Sequence, residues 1–99
     1  MARKIENDKK FYIIRMTVQE AIATMDCFGE CNLCGDGCEY GYYIPVINQF
    51  YCETCYDAWY RTATRYKSEI YNETKRYNAM VEKLKDLGTW DLQFASFSY

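Results

Sequence analysis

The chain has no histidine and a single proline among its 99 residues. Without imidazole it lacks the commonest general base, the Ser–His and Cys–His nucleophile pairs, and the ligand most catalytic zinc sites use. Dinucleotide and P-loop fingerprints are missing too, because "GECNLCG" and "CGDGC" place their glycines wrongly for either. A non-enzymatic role is expected. No apolar run approaches the length needed to cross a membrane, and the start, "MARKIENDKKFYIIRM", lacks the apolar core of a secretory signal. The expected setting is therefore cytoplasmic and without a membrane partner, where clustered cysteines more often hold metal than each other. Lysine and arginine are absent from residues 16–55, which carry Glu20, Asp26, Glu30, Asp36, Glu39 and Glu53. That segment has a net charge of −6, against +3 for residues 1–15 and +2 for residues 56–87.

What the chain does hold is aromatic rings and thiols. Eleven Tyr, five Phe and two Trp argue for a packed core. A chain of this length forms one domain, 1–99, small enough to gain from a staple. The expected class is a small α+β, zinc-stabilised domain. Residues 1–26 read as a strand and a short helix. "KKFYIIRM" (9–16) is rich in strand formers, and "TVQE" (17–20) is a capping box ahead of a helix over 18–26 that would bury Val18, Ile22 and Met25. Residues 27–55 hold the cysteines and a hairpin, "EYGYYIPVINQFY" (39–51), with Pro45 and Asn48 at its turn.

From Glu53 to Leu87 there is neither Gly nor Pro, and Gly88 stands where a helix-ending glycine belongs. Trp59, Ala63, Tyr66, Ile70, Glu73, Tyr77, Met80, Leu84 and Leu87 step at heptad spacing, with Glu73 the polar interruption. One long helix is expected over 56–87, roughly 45–50 Å in length and longer than a domain this size covers by itself. Its far half would need a partner. The aromatic tail, 88–99, would fold back along the seam, pair as an edge strand or contact a second chain.

Cys31-x2-Cys34, seventeen residues, then Cys52-x2-Cys55 is tetrahedral zinc spacing. Two intervening residues let the backbone turn so that both sulfurs reach one ion at about 2.3 Å. Gly35, next after Cys34, suits such a turn. The second pair opens a helix, whose free N–H groups would stabilise the thiolates of Cys52 and Cys55. The predicted metal ligands are Cys31, Cys34, Cys52 and Cys55, holding a structural Zn2+. Cys27 and Cys38, lacking partners of matching spacing, read as small packed side chains. A disulfide framework or an iron centre would also use such cysteines. Two similar loop knuckles would favour iron, whereas here the second pair runs straight into a helix.

The knuckle "CNLCG", the hairpin and the helix-borne pair "CETCYDAWYRTATRY" resemble a treble-clef zinc finger over residues 31 to about 66. The pattern "GECNLCG…GYYIPVINQFYCETCYDAWYRTATRY" is also similar to small zinc-finger proteins encoded by phages and mobile elements of gut bacteria. That resemblance implies the fold and the four ligands. The cysteine interval resembles the zinc module of DksA/TraR-type transcription factors as well, but there the helices precede the finger and carry an acidic tip, and here the long helix follows it.

A closed four-thiolate site leaves no position for a reacting water. The leading functional expectation is a protein-interaction module, a regulator or inhibitor of phage or mobile-element type. In its sharpest form it acts against host defence, its acidic face occupying a basic protein or nucleoprotein. Asp36 and Glu39 would mark that face, while Tyr77, Met80, Leu84, Leu87, Trp90 and Phe94 would form an apolar contact surface, including a homodimer through the long helix. The alternative is nucleic-acid binding or transcriptional regulation through Arg61, Arg65, Lys75, Arg76 and Lys83, one stripe of that helix.

Overall fold

The structure, a computed structural model, describes residues 2–25 and 29–90. Its centre is a four-stranded antiparallel sheet in sequence order, β1 (Arg3–Lys4), β2 (Ile14–Thr17), β3 (Tyr40–Ile44) and β4 (Gln49–Tyr51). The expected hairpin is β3–β4, with Tyr43 opposite Phe50 and Pro45 and Asn48 in the turn. Asn48 adopts φ 54°, the left-handed region that asparagine tolerates. Gly41 sits where a Cβ would lie 2.5 Å from the Tyr51 carbonyl oxygen, so only glycine lets β3 approach β4 there.

The sheet is buried on both faces, and the period-2 alternation of a strand divides its residues between two cores. Ile14, Met16, Tyr43 and Phe50 join one cluster, with Ala2, Ala21, Met80, Leu84 and Trp90. Their neighbours Ile13, Ile44 and Tyr51 join the other, with Phe11, Cys31 and Tyr56. The first core lies under α1 (Val18–Met25) and α3 (Ile70–Leu87), and the second under α2 (Glu53–Thr62) and the cysteine knuckle.

α1 starts at the expected capping box. Glu20 N–H donates to Thr17 Oγ1 (3.2 Å), and Thr17 N–H donates to Glu20 Oε1 (2.8 Å). The fully buried residues of α1 are Glu20, Ala21 and Thr24; Val18 and Met25 are half-buried, Met25 against the first core, and Ile22 is 47 % exposed. On that side the second oxygen of Glu20 accepts the N–H of the fully buried Ala2 (3.0 Å), and Ala21 joins the first core.

The expected long helix is instead two. α2 ends at Thr62, Ala63 and Tyr66 are extended (ψ 138° and 139°), and a 3₁₀ turn at Lys67–Glu69 leads into α3. No local breaker causes this. Lys9 Nζ donates to the carbonyls of Tyr60 and Ala63 (the latter at 2.9 Å), capping the C-terminus of α2 with a cation. Arg65 then reaches Glu73, whose side chain is 1 % exposed, with Nη2 2.8 Å and Nε 3.2 Å from Oε1. Glu73 Oε2 accepts the N–H of Tyr12 (3.0 Å). The polar interruption in the seam is thus a buried ion pair tying α3 to the β1–β2 connection.

The apolar seam is consumed within the chain, which corrects the expected contact surface. Met80 (4 %), Leu84 (0 %) and Trp90 (6 %) are core residues, and Tyr77 is half-buried, its ring stacked on Tyr12 at 4.7 Å. Of the described seam residues, Tyr66 (58 %) and Leu87 (47 %) remain exposed. Met80, Leu84 and Trp90 of the expected contact surface are thus buried within the chain, and the one long helix through which a homodimer was expected is divided in two. Trp90 makes an isolated parallel bridge with Ala2 at the sheet edge, and the rest of the tail, 91–99, lies outside the described residues. Phe94 and Cys27 lie outside the described residues. α3 ends as expected at Gly88, φ 76°, whose N–H bonds the carbonyls of Leu84 and Lys85.

Candidate metal centre

Cys31 and Cys34 lie on a tight turn, Cys52 immediately precedes α2, and Cys55 is on its first turn. In the turn, Gly35 N–H donates to Cys31 O (3.0 Å) and Cys31 N–H to Asp36 O (3.0 Å), with Glu30 and Gly37 bridged behind them. Gly35 adopts φ 78°, the conformation expected after the first cysteine pair. Between the two cysteines, Asn32 imitates a strand residue along the free edge of β4. Its N–H donates to Phe50 O (2.8 Å), and its side-chain Oδ1 accepts Phe50 N–H (2.7 Å). Those two bonds hold the knuckle against the sheet that leads to Cys52. Asn32 escaped the sequence reading; its only signal was an amide, donor and acceptor together, inside a C-x2-C turn.

The four predicted ligands converge. All four Sγ atoms lie within 4.8 Å of one another, and Cys34 and Cys52 are 3.8 Å apart. Tetrahedral bonds of ~2.3 Å place sulfurs on edges of about 3.8 Å, so the cluster has the dimensions of a four-thiolate site. Among the described residues no other group of three or more Cys, Asp or Glu side chains is placed to share an ion. None of the five described cysteines is in a disulfide. Cys38 is half-buried against the first core, as expected of a packing residue.

The electrostatics point the same way. Burial pushes the Cys31 thiol up, but the N–H groups of Cys34, Cys52 and Leu33 outweigh it and bring the thiol down to about 6. At Cys34 the Asp36 N–H favours a thiolate, yet burial and the sulfurs of Cys31 and Cys52 leave the thiol above its ordinary value. Cys55 is pushed well up, by burial first and then by its neighbouring sulfurs. Of the N–H groups that favour the Cys31 thiolate, that of Cys52 stands at the start of α2 and those of Leu33 and Cys34 belong to the knuckle. Thiolates held this close oppose one another. A cation of charge two or more removes that conflict, and soft sulfur donors select the metals that prefer thiolate. The cluster fits a bound metal ion.

The basic stripe of the alternative reading does not form. Arg61 is on α2 and Arg65 is in the connection, paired with Glu73. Arg76 Nη1 donates to the carbonyls of Pro45 (3.1 Å) and Val46 (3.2 Å), and Lys83 Nζ to Thr24 O (3.3 Å). Lys75 is exposed on α3. Asp36 and Glu39 are exposed beside the knuckle, as are Glu30 and Glu53. No helix of the described residues is long and apolar enough to cross a membrane. Compared with family models, curated proteins and solved structures, the chain has no match in any of the three. The likeness to zinc-finger proteins of phages and mobile elements therefore rests on the residue pattern alone.

Proposed function

We propose that Cys31, Cys34, Cys52 and Cys55 hold one structural zinc ion in a treble-clef-like arrangement of knuckle, hairpin and helix. On this reading the domain is a non-catalytic protein-interaction module. The observation that carries it is the convergence of four sulfurs within 4.8 Å of one another, next in sequence to the exposed Asp36 and Glu39. Zinc suits a donor set of four thiolates, and such a site is closed to substrate. Four thiolates around a divalent ion retain two negative charges, and no Lys or Arg occurs from residue 16 to residue 55. The knuckle face is thus a fixed acidic surface, and the partner it fits is a basic protein. A regulator or inhibitor that occupies the nucleic-acid groove of a nucleoprotein is one form of the same reading.

The test is capture on immobilised, zinc-loaded protein from a bacterial lysate, against an Asp36→Asn/Glu39→Gln variant and against chelator-treated protein. The expected result is a basic protein retained at low salt, released as screening rises, and lost with either treatment. Retention that neither treatment changes, or retention of nucleic acid alone, would contradict the proposal.

A further inference from the structure

Between the C-terminal end of α1, the tip of the β3–β4 hairpin, the knuckle and the middle of α3 lies a cleft of about 630 Å³. Small-ligand sites fall at roughly 300–1,000 Å³. Its α3 wall is one helical face, Arg76, Ala79, Met80 and Lys83. Arg76 and Lys83 are seven residues apart, ~10 Å along the axis, close enough for both long side chains to meet an anion between them. Ala79, at that midpoint, leaves the space open.

Both cations are oriented in advance and under-used. Among the described residues Arg76 uses only Nη1, on the Pro45 and Val46 carbonyls, and Lys83 bonds only the Thr24 carbonyl. The remaining guanidinium and ammonium N–H groups are spare donors. Among the described residues the ion pairs are Lys4–Glu6 and Arg65–Glu73, and no described carboxylate pairs with Arg76 or Lys83. No described residue lining the cleft is acidic. Met25 and Met80 add adaptable thioether surface, which packs well against a flat ring. Asn48 and Gln49 supply amides from the hairpin, and Asn32, whose Oδ1 is engaged by Phe50 N–H, presents its NH2 as a donor.

We propose that this cleft binds a small organic phosphate of mononucleotide size. Arg76 and Lys83 grip the phosphate, the methionines flank the ring, and the amides address its polar edge. A dianion matches two cations with spare N–H donors better than a single carboxylate does. A nucleic-acid strand fits less well, because the knuckle and hairpin walls belong to the segment without Lys or Arg and repel a polyanion.

The test is isothermal titration of metal-loaded full chain with adenosine, guanosine, cytidine and uridine monophosphates, and with the nucleosides and inorganic phosphate as separate arms. At least one monophosphate should bind about tenfold or more tighter than its nucleoside and than phosphate. Lys83→Gln removes a gripping charge, and Ala79→Leu fills the space with a good helix former at an exposed position. Each should weaken binding by about tenfold with the melting temperature unchanged. Binding of no monophosphate, phosphate or nucleoside bound as tightly, or affinity indifferent to both substitutions would overturn the proposal. Asp36→Asn/Glu39→Gln should leave this binding unaltered, which keeps the result independent of the acidic face.

Discussion

Replacing Arg65 with alanine tests the division of the second half of the chain into two helices. The Glu73 carboxylate is 1 % exposed and has three hydrogen bonds, two from Arg65 and one from the Tyr12 N–H. Arg65→Ala leaves that charge buried with one donor. Breaking a buried pair from one side costs about 3–5 kcal/mol. Arg65 itself is 25 % exposed, so water can replace part of the lost contact, and the lower end, about 3 kcal/mol, applies. In a domain of this size each kcal/mol lowers Tm by ~4–8 °C, which predicts a fall of about 12–24 °C. Calorimetry at fixed excess zinc measures it, because bound metal also raises Tm. Arg65→Met/Glu73→Leu, which removes both charges, should recover most of the loss. A continuous helix would put Arg65 in solvent, and the single substitution would then shift Tm by only a degree or two. That result, or helical backbone chemical shifts at residues 63–66, would refute the broken-helix geometry.

Two further outcomes follow from the same contacts. Asn32→Ala removes the acceptor for Phe50 N–H and should destabilise by about 1–3 kcal/mol; it should also speed zinc transfer to a chromophoric chelator, and an unchanged transfer rate would remove Asn32 from the positioning of the knuckle. Alkaline pH should unfold the protein. Burial raises the phenols of Tyr43, Tyr51 and Tyr77 above 10 and that of Tyr56 to about 12. Between pH 10 and 12 the folded chain therefore holds more protons than the unfolded one, and stability falls as pH rises through that window. Ionisation of these four buried phenols should come together with loss of structure; their ionisation near pH 10 with the fold intact would contradict it.

The parts of this fold legible in the sequence are those whose signals are local. Thr17 and Glu20 announce a capping box four residues long, Pro45 and Asn48 mark one turn, and Gly88 ends one helix. The cysteine spacing belongs here too, because each C-x2-C pair is a local turn and the hairpin between them sets their separation. The break after Thr62 was not legible. "ATRY" contains no breaker, and the groups that impose the break come from far along the chain, Lys9 onto Ala63 and Glu73 onto Tyr12. The heptad seam was read correctly as apolar in Tyr77, Met80 and Leu84, but its partner proved to be the chain's own sheet and Trp90. Glu20 misled the reading of α1, because a carboxylate that caps a helix and also accepts a buried N–H reverses the ordinary preference for exposing charge. The cleft on α3 was illegible for the same reason as the break. Arg76 and Lys83 look like members of a solvated stripe until the hairpin and α1 close against them.

Metal content decides whether the four sulfurs form a site. Purified from a zinc-supplemented host, the protein should carry one zinc per chain by mass spectrometry of the metal. Cys31→Ser, Cys34→Ser, Cys52→Ser and Cys55→Ser should each lose most of it, whereas Cys38→Ser should keep it. An unchanged zinc content in Cys52→Ser, or a loss in Cys38→Ser equal to that of the other four, would contradict the assignment.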